Sequence, residues 1–218
     1  IAIVGCGFAG TTALFQLVDR HPVSEITVFE ASGHFGPGFA YQPDECSDYL
    51  INNTTDTMCL LASNRRAFIE WLNGRPEYAA SLAPKGHLPR KVYGEFLIDV
   101  MRSARTIAAI KGIRLREVAA EVTHMHEQAD GQVEIGWAGG STVVNAALLT
   151  TGRCPDRAAH RLPPAGATAR YVANHIHNPG FDDIALDASC HVLGASLSAY
   201  DVINRLFSPA TGCRFEAD

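Results

Sequence analysis

The chain opens on an unbroken apolar run, Ile1-Ala2-Ile3-Val4, followed at once by glycines at positions 5, 7 and 10. Apolar residues without alternation predict a short strand buried on both faces, and the glycines predict a tight turn after it. Apolar positions at helical spacing predict a helix over residues 9–19, and Ile26-Thr27-Val28-Phe29 predicts a second buried strand ending in Glu30. Gly33, Gly36, Pro37, Gly38 and Pro43 then interrupt any regular pattern. Asn64 is placed to cap a helix over 65–73, in which Ala67, Phe68, Trp71 and Leu72 form an apolar stripe and Gly74-Arg75-Pro76 mark the end. The pattern is ambiguous over 78–90. A long helix over 91–110 carries Tyr93, Phe96, Leu97, Val100, Met101 and Ile107 on one face, and Gly112 closes it.

The texture then changes. Residues 113–118, 121–127, 132–137 and 141–149 read as strands, the last three joined by Ala129-Asp130-Gly131 and Ala138-Gly139-Gly140 as hairpin turns. Residues 153–187 are rich in Pro, Ala, Gly and Asp and read as a crossover. A second strand-to-helix unit is expected at Cys190-His191-Val192-Leu193, passing through Gly194 into a helix reaching about 207.

Gly5-Cys6-Gly7-Phe8-Ala9-Gly10 spells G-x-G-x-x-G between a strand and a helix, and Glu30 ends the next strand twenty positions after Gly10. That context makes it a dinucleotide-binding motif. Gly5 permits the turn, Gly7 lets backbone approach a pyrophosphate, and Gly10 lets the helix pack closely. The helix start offers unpaired N–H groups and partial positive charge to phosphate. Glu30 can accept both hydroxyl hydrogens of an adenosine ribose, and its charge disfavours a 2′-phosphate there.

Composition narrows the picture. The 218 residues are 47% hydrophobic and 19% charged, ordinary values for a globular enzyme of one large domain or two small ones. A net charge of −5 gives no footprint for nucleic acid, and neither a basic cluster nor a long apolar run points to a membrane. The six cysteines, at 6, 46, 59, 154, 190 and 213, form no C-x-x-C, which excludes a zinc ribbon and the thiol pair of disulfide reductases. Scattered thiols fit a reducing cytoplasm. Ile1 already lies within the first strand, so a start methionine and a few residues are expected before it.

The order of elements, together with Leu148-Leu149-Thr150-Thr151-Gly152-Arg153, resembles the flavoproteins with two dinucleotide-binding domains. There a strand ending in Ala-Thr-Gly returns beside the flavin. Three further blocks sharpen the likeness to FAD/NAD(P)-binding proteins related to class B flavin monooxygenases and N-hydroxylases. They are Phe35-Gly36-Pro37-Gly38-Phe39-Ala40-Tyr41; Tyr49-Leu50-Ile51-Asn52-Asn53 leading to Met58; and Leu88-Pro89-Arg90-Lys91-Val92-Tyr93-Gly94-Glu95-Phe96-Leu97. Residues 53–57 depart from the usual Asn-Val-Pro form.

The resemblance implies an α/β fold: a Rossmann-like FAD-binding domain with a parallel sheet, a helical insertion and an antiparallel three-stranded meander, then the start of a second Rossmann-like NAD(P)-binding unit. Its expected limits are 1–153, a crossover over 154–188, and 189–218. FAD would occupy the first site, with Gly5, Gly7, Phe8, Ala9 and Gly10 at the pyrophosphate and Glu30 at the ribose. Ala119 and Ala120 would contact adenine, and Thr151 and Gly152 would close the far side. Gly38, Ala40, Tyr41, Asn52 and Met58 would approach the isoalloxazine or the ribityl chain. Arg90 is a candidate for the pyrophosphate or the substrate mouth, or else a surface arginine at a helix start.

Gly194, Ser196 and Leu197 match the second nucleotide block of the family, G-x-G-L-T-x-x-D, which closes at Asp201. Ser196 stands where the second glycine belongs. In the family this unit continues well beyond the point where the present sequence stops, so a fragment of a longer chain, or a reduced protein, is expected.

The implied activity is FAD-dependent oxidation of a small-molecule substrate with NAD(P)H as reductant. Oxygen adds to the reduced flavin, and the hydroperoxide passes one oxygen atom to an amine, thiol or carbon centre. No residue is singled out as a catalytic acid or base. A flavin dehydrogenase or reductase without oxygenation, and a non-catalytic nucleotide-binding module, are the alternatives. The pairs His124/His126 and His175/His177 lack a third ligand at telling spacing, so no metal is expected. Oligomeric state is not legible.

Overall fold

The computed structural model describes residues 1–44, 49–50, 53–81, 86–152, 168, 170–172, 176, 179–181, 183–185 and 187–208. Cys46, Asn52, Cys154, His175, His177, Cys213 and most of the 153–187 crossover lie outside the described residues.

A parallel sheet of four strands forms the centre. β1 (Ala2–Val4) pairs with β2 (Glu25–Phe29) and with β7 (Ala147–Leu149), and β2 pairs with β3 (Arg114–Val118). A parallel strand covered on both sides needs apolar residues in succession, and β1 is buried at all three positions. On one face Ile3, Ile26 and Val28 pack against α1 (Phe8–Arg20) and α3 (Arg90–Ile110), through Leu14, Val18, Met101, Ala104 and Ala108. On the other face Ala2, Val4 and Phe29 pack against Ile135 of an antiparallel meander. That meander comprises β4 (Val122–Glu127), β5 (Val133–Trp137) and β6 (Gly140–Val144). A third cluster joins Met58, Leu60 and Leu61 to α2 (Ala67–Asn73) and the first half of α3.

Three expectations need correction. Residues 141–149 are two strands: β6 stays in the meander, whereas β7 crosses to the parallel sheet beside β1. Apolar alternation marks extended backbone without naming its partner. The helix expected from residue 65 with Asn64 as its cap starts at Ala67 with Arg66 at the cap position and no side-chain cap bond; Asn64 Oδ1 accepts the Arg66 N–H at 3.0 Å in the turn before the helix. Residues 190–193 form no strand, and Val192 and Leu193 are exposed. An extended segment becomes a strand only where a neighbour supplies ladder partners. The helix after it does form, as α4 (Leu197–Leu206).

Candidate dinucleotide site

Because the central strands run parallel, their C-terminal ends share one edge: Val4 stands in register with Phe29 and Leu149, and Phe29 with Val118. Ligands of open α/β sheets bind outside that edge. The residues that follow these four ends are Gly5, Glu30, Thr150 and Ala119, so the fold gathers most of the expected first site.

The turn after β1 is built by close backbone approaches. Gly5 has φ +93°, and a Cβ there would come within 2.4 Å of the Thr150 carbonyl oxygen. A Cβ on Gly10 would come within 2.0 Å of the Gly5 carbonyl oxygen. Gly7 turns its bare side toward Gly38, whose own added Cβ would lie 2.7 Å from the Gly7 Cα. Gly7 therefore admits the loop after β2 as well as leaving its backbone open. Thr150, which stands at the alanine position of Ala-Thr-Gly, places its hydroxyl 2.6 Å from the Gly5 carbonyl oxygen and clasps β7 to the turn. Thr151 and Gly152 are exposed at the same edge.

Gly7 caps α1 with extended backbone and no side-chain hydrogen bond, and the first N–H pairing into this turn is Thr11 to the Gly7 carbonyl oxygen at 2.9 Å. The N–H groups of Phe8, Ala9 and Gly10 find no acceptor among the described residues. Phe8 and Ala9 are exposed, so the helix start opens outward. Unpaired donors and the positive end of a helix dipole are the features that favour an anion.

Glu30 is fixed beside it. Its Oε2 accepts the Cys6 N–H at 2.7 Å, and its Oε1 accepts the Ser32 N–H at 3.1 Å and hydroxyl at 2.8 Å. A carboxylate has about four acceptor sites; three are taken here, so about one remains for a ribose hydroxyl. Ala120 donates its N–H to the Val118 carbonyl oxygen at 3.0 Å, and a Cβ on Gly33 would lie 3.6 Å from that of Ala119. Cys6 itself points inward, toward Thr11 and Met101. Burial pushes its thiol from 9.0 up to about 11, so the helix start does not activate it.

Other expected site residues lie elsewhere or in a different role. Met58 is buried in the apolar cluster with Phe68, Leu72 and Tyr93. Gly38 (φ +60°) and Ala40 lie in the loop after β2, where the Gly38 carbonyl accepts from Gln42 at 2.7 Å. Tyr41 follows; its ring stands 5.2 Å from that of Tyr93, and burial raises its phenol. Asn52 lies outside the described residues. Arg90 is no surface residue: its side chain is 11% exposed, and its guanidinium meets Asp201 at 2.6 Å and the Leu50 carbonyl oxygen at 3.0 Å. Gly194 has φ +112°, Ser196 caps α4 through its backbone, and Leu197 begins the helix.

Two residues around the site escaped the sequence reading. Gly94 allows the Tyr41 carbonyl to lie against α3: a Cβ there would be 1.7 Å from that oxygen. A glycine inside an otherwise strong helical pattern was the available signal. Tyr93 carries a buried hydroxyl with no hydrogen-bond partner among the described residues, and its ring lies 6.1 Å from that of Phe8. Its place on the apolar face of α3 gave no sign of this.

A family model for FAD-NAD(P)-binding proteins matches residues 2–154. The chain belongs to that family. Its α/β architecture, with the parallel sheet and separate meander, is the FAD/NAD(P)-binding oxidoreductase fold. Among solved structures it is similar to L-lysine 6-monooxygenase from Pseudomonas syringae at 18% identity and a TM-score of 0.47, covering 75% of this chain and 40% of that one. It is similar to S-allyl-L-cysteine S-oxygenase from Allium sativum at 18% identity and a TM-score of 0.40, covering 69% and 36%. A thioredoxin reductase from Gloeobacter violaceus matches at 14% identity and a TM-score of 0.38, covering 71% and 37%. The matched part thus spans two fifths or less of each of these proteins. No curated protein sequence matches the chain. Among the described residues no helix is long and apolar enough to cross a membrane.

Proposed function

We propose that this chain is the flavin-binding part of an NAD(P)H-dependent oxidoreductase of the monooxygenase kind, acting on a small molecule. One observation supports the first half above others: the open N–H groups of α1 stand beside a carboxylate already tied to the same turn through the Cys6 N–H. A pyrophosphate next to a ribose diol matches that pair of charges and donors. The residues present therefore fit FAD.

In this reading the N–H groups of Phe8, Ala9 and Gly10 hold the pyrophosphate, and Glu30 faces the adenosine ribose. Thr151 and Gly152 flank the far side, and the loop carrying Gly38, Ala40 and Tyr41 lies toward the ring. The bound flavin would supply electron transfer and oxygen activation, while the chain orients it and excludes water. Residues 1–153 form the flavin half, 154–188 a crossover, and 189–218 the opening of the NAD(P) unit, with Gly194, Ser196 and Leu197 at its phosphate turn. Oxygen transfer rather than plain reduction is supported by the sequence blocks 35–41 and 88–97.

The test is direct. Purified chain mixed with FAD and passed through a desalting column is expected to emerge yellow. Colourless protein overturns the reading. NADH and NADPH are then added without oxygen to look for bleaching of the bound flavin. Labelled dioxygen decides the last step: label in the product supports a monooxygenase, and peroxide without label moves the protein to the reductases. Tight flavin binding with no bleaching by either nicotinamide makes it a binding module.

A further inference from the structure

Asp201 is the residue of α4 that is buried, and it is a charged one. Its carboxylate meets the Arg90 guanidinium at 2.6 Å, with side-chain exposures of 7% and 11%. Arg90 is itself anchored, since its backbone N–H donates to the Tyr49 carbonyl oxygen at 2.7 Å and its Nε to that of Leu50 at 3.0 Å. Leu197, Tyr200, Ile203 and Phe207 of the same stretch stay exposed. The helix thus meets the rest of the chain through a charge while much of its apolar surface faces outward.

A buried ion pair is a poor device for stability alone. Desolvating both charges offsets most of their attraction, and two apolar residues of similar volume would serve as well. What the pair adds is direction, because a guanidinium fork accepts a carboxylate in few orientations. Arg90 begins α3, on the flavin side, and Asp201 closes the second nucleotide block.

We propose that the Arg90–Asp201 pair is a positioning device that fixes α4 against the start of α3. It sets how a nicotinamide nucleotide held by the second unit meets the flavin. This rests on the reading under Proposed function. Neither residue is assigned a catalytic role here; both act through the placement of α4.

The experiment uses the full chain loaded with FAD and three variants: Asp201→Asn, Asp201→Glu, and the paired apolar change Arg90→Met with Asp201→Leu. Asp201→Asn is expected to slow flavin reduction by NAD(P)H by about tenfold to a hundredfold, the usual effect of a misplacement near 1 Å. Its flavin affinity is expected to stay within about threefold of the parent. Asp201→Glu should recover part of the rate. The apolar pair should recover thermal stability and leave the rate low, which a merely structural contact would not do. Recovery of both by the apolar pair, or an unchanged rate in Asp201→Asn, overturns the proposal. Amide hydrogen exchange reads the same point without flavin: Asp201→Asn should speed exchange over 197–206 by about tenfold or more while α1 stays protected. Unchanged exchange there also overturns it. A parent chain that takes up no FAD refutes the function, and the exchange result still decides the role of the pair.

Discussion

The backbone N–H of Cys6 donates to Oε2 of Glu30 at 2.7 Å. This bond ties the end of β2 to the turn after β1, so the open N–H groups of α1 and the Glu30 carboxylate, the groups proposed for pyrophosphate and ribose, are joined before any ligand arrives. Preorganisation of this kind lowers the ordering penalty of binding.

Replacing that acid should therefore separate affinity from folding. Glu30→Gln keeps an acceptor for the Cys6 N–H but loses the charge. It is expected to weaken FAD binding by about tenfold to a hundredfold, the range of a charge-assisted hydrogen bond. The loss of stability should stay near 1 kcal/mol. Titration calorimetry and urea denaturation check the two halves. Unaltered affinity would remove Glu30 from the site.

Cys6 predicts a dependence on alkaline pH. Burial raises its thiol from 9.0 to about 11, so the folded state holds a proton that the unfolded state releases. The contribution is fully present below pH 9 and disappears as pH rises to about 11. About 2–3 kcal/mol of stability should be lost over that window. Urea denaturation at intervals from pH 8 to pH 11 measures it, and Cys6→Ala should flatten the slope. A slope identical in both proteins would contradict the assignment.

Tyr93 gives an unusual expectation. Its hydroxyl is buried with no hydrogen-bond partner among the described residues, and burial drives its ionisation upward. Tyr93→Phe removes a polar atom that gains nothing, so stability should hold or rise by about 1 kcal/mol in the ligand-free protein. A loss of more than about 1 kcal/mol would reveal a bonded hydroxyl.

Gly94 and Gly112 form a matched pair. A Cβ on Gly94 would come within 1.7 Å of the Tyr41 carbonyl oxygen, whereas Gly112 has φ +68° with no atom inside 4 Å. Gly112→Ala should cost only the left-handed backbone penalty, about 1–2 kcal/mol. Gly94→Ala must displace the loop or the helix and should cost about 3 kcal/mol or more. It should also weaken FAD binding, because Tyr41, at the end of the loop proposed to face the flavin, rests on α3. Equal losses in thermal denaturation would argue against the close packing.

The amino-acid sequence by itself determined the elements whose signals are local. Four apolar residues, spaced glycines and a terminal acid specify β1, its turn, α1 and β2, because turn geometry and helical periodicity act over a few residues. The long stripe of α3 and the glycine turns of the meander are legible for the same reason. Of the residues expected at the first site, Gly5, Glu30, Ala119 and Thr151 lie just beyond strand ends that a parallel register must bring together, whereas Met58 and Arg90 lie in other surroundings. Only the tertiary structure decided which strand pairs with which, so residues 141–149 divide between two sheets and residues 190–193 stay unpaired. It also decided the company of single side chains. Arg90 meets Asp201 across 111 residues, and Gly94 meets Tyr41 across 53. Composition and spacing cannot supply such pairings, because they depend on where the packed elements bring distant segments into contact.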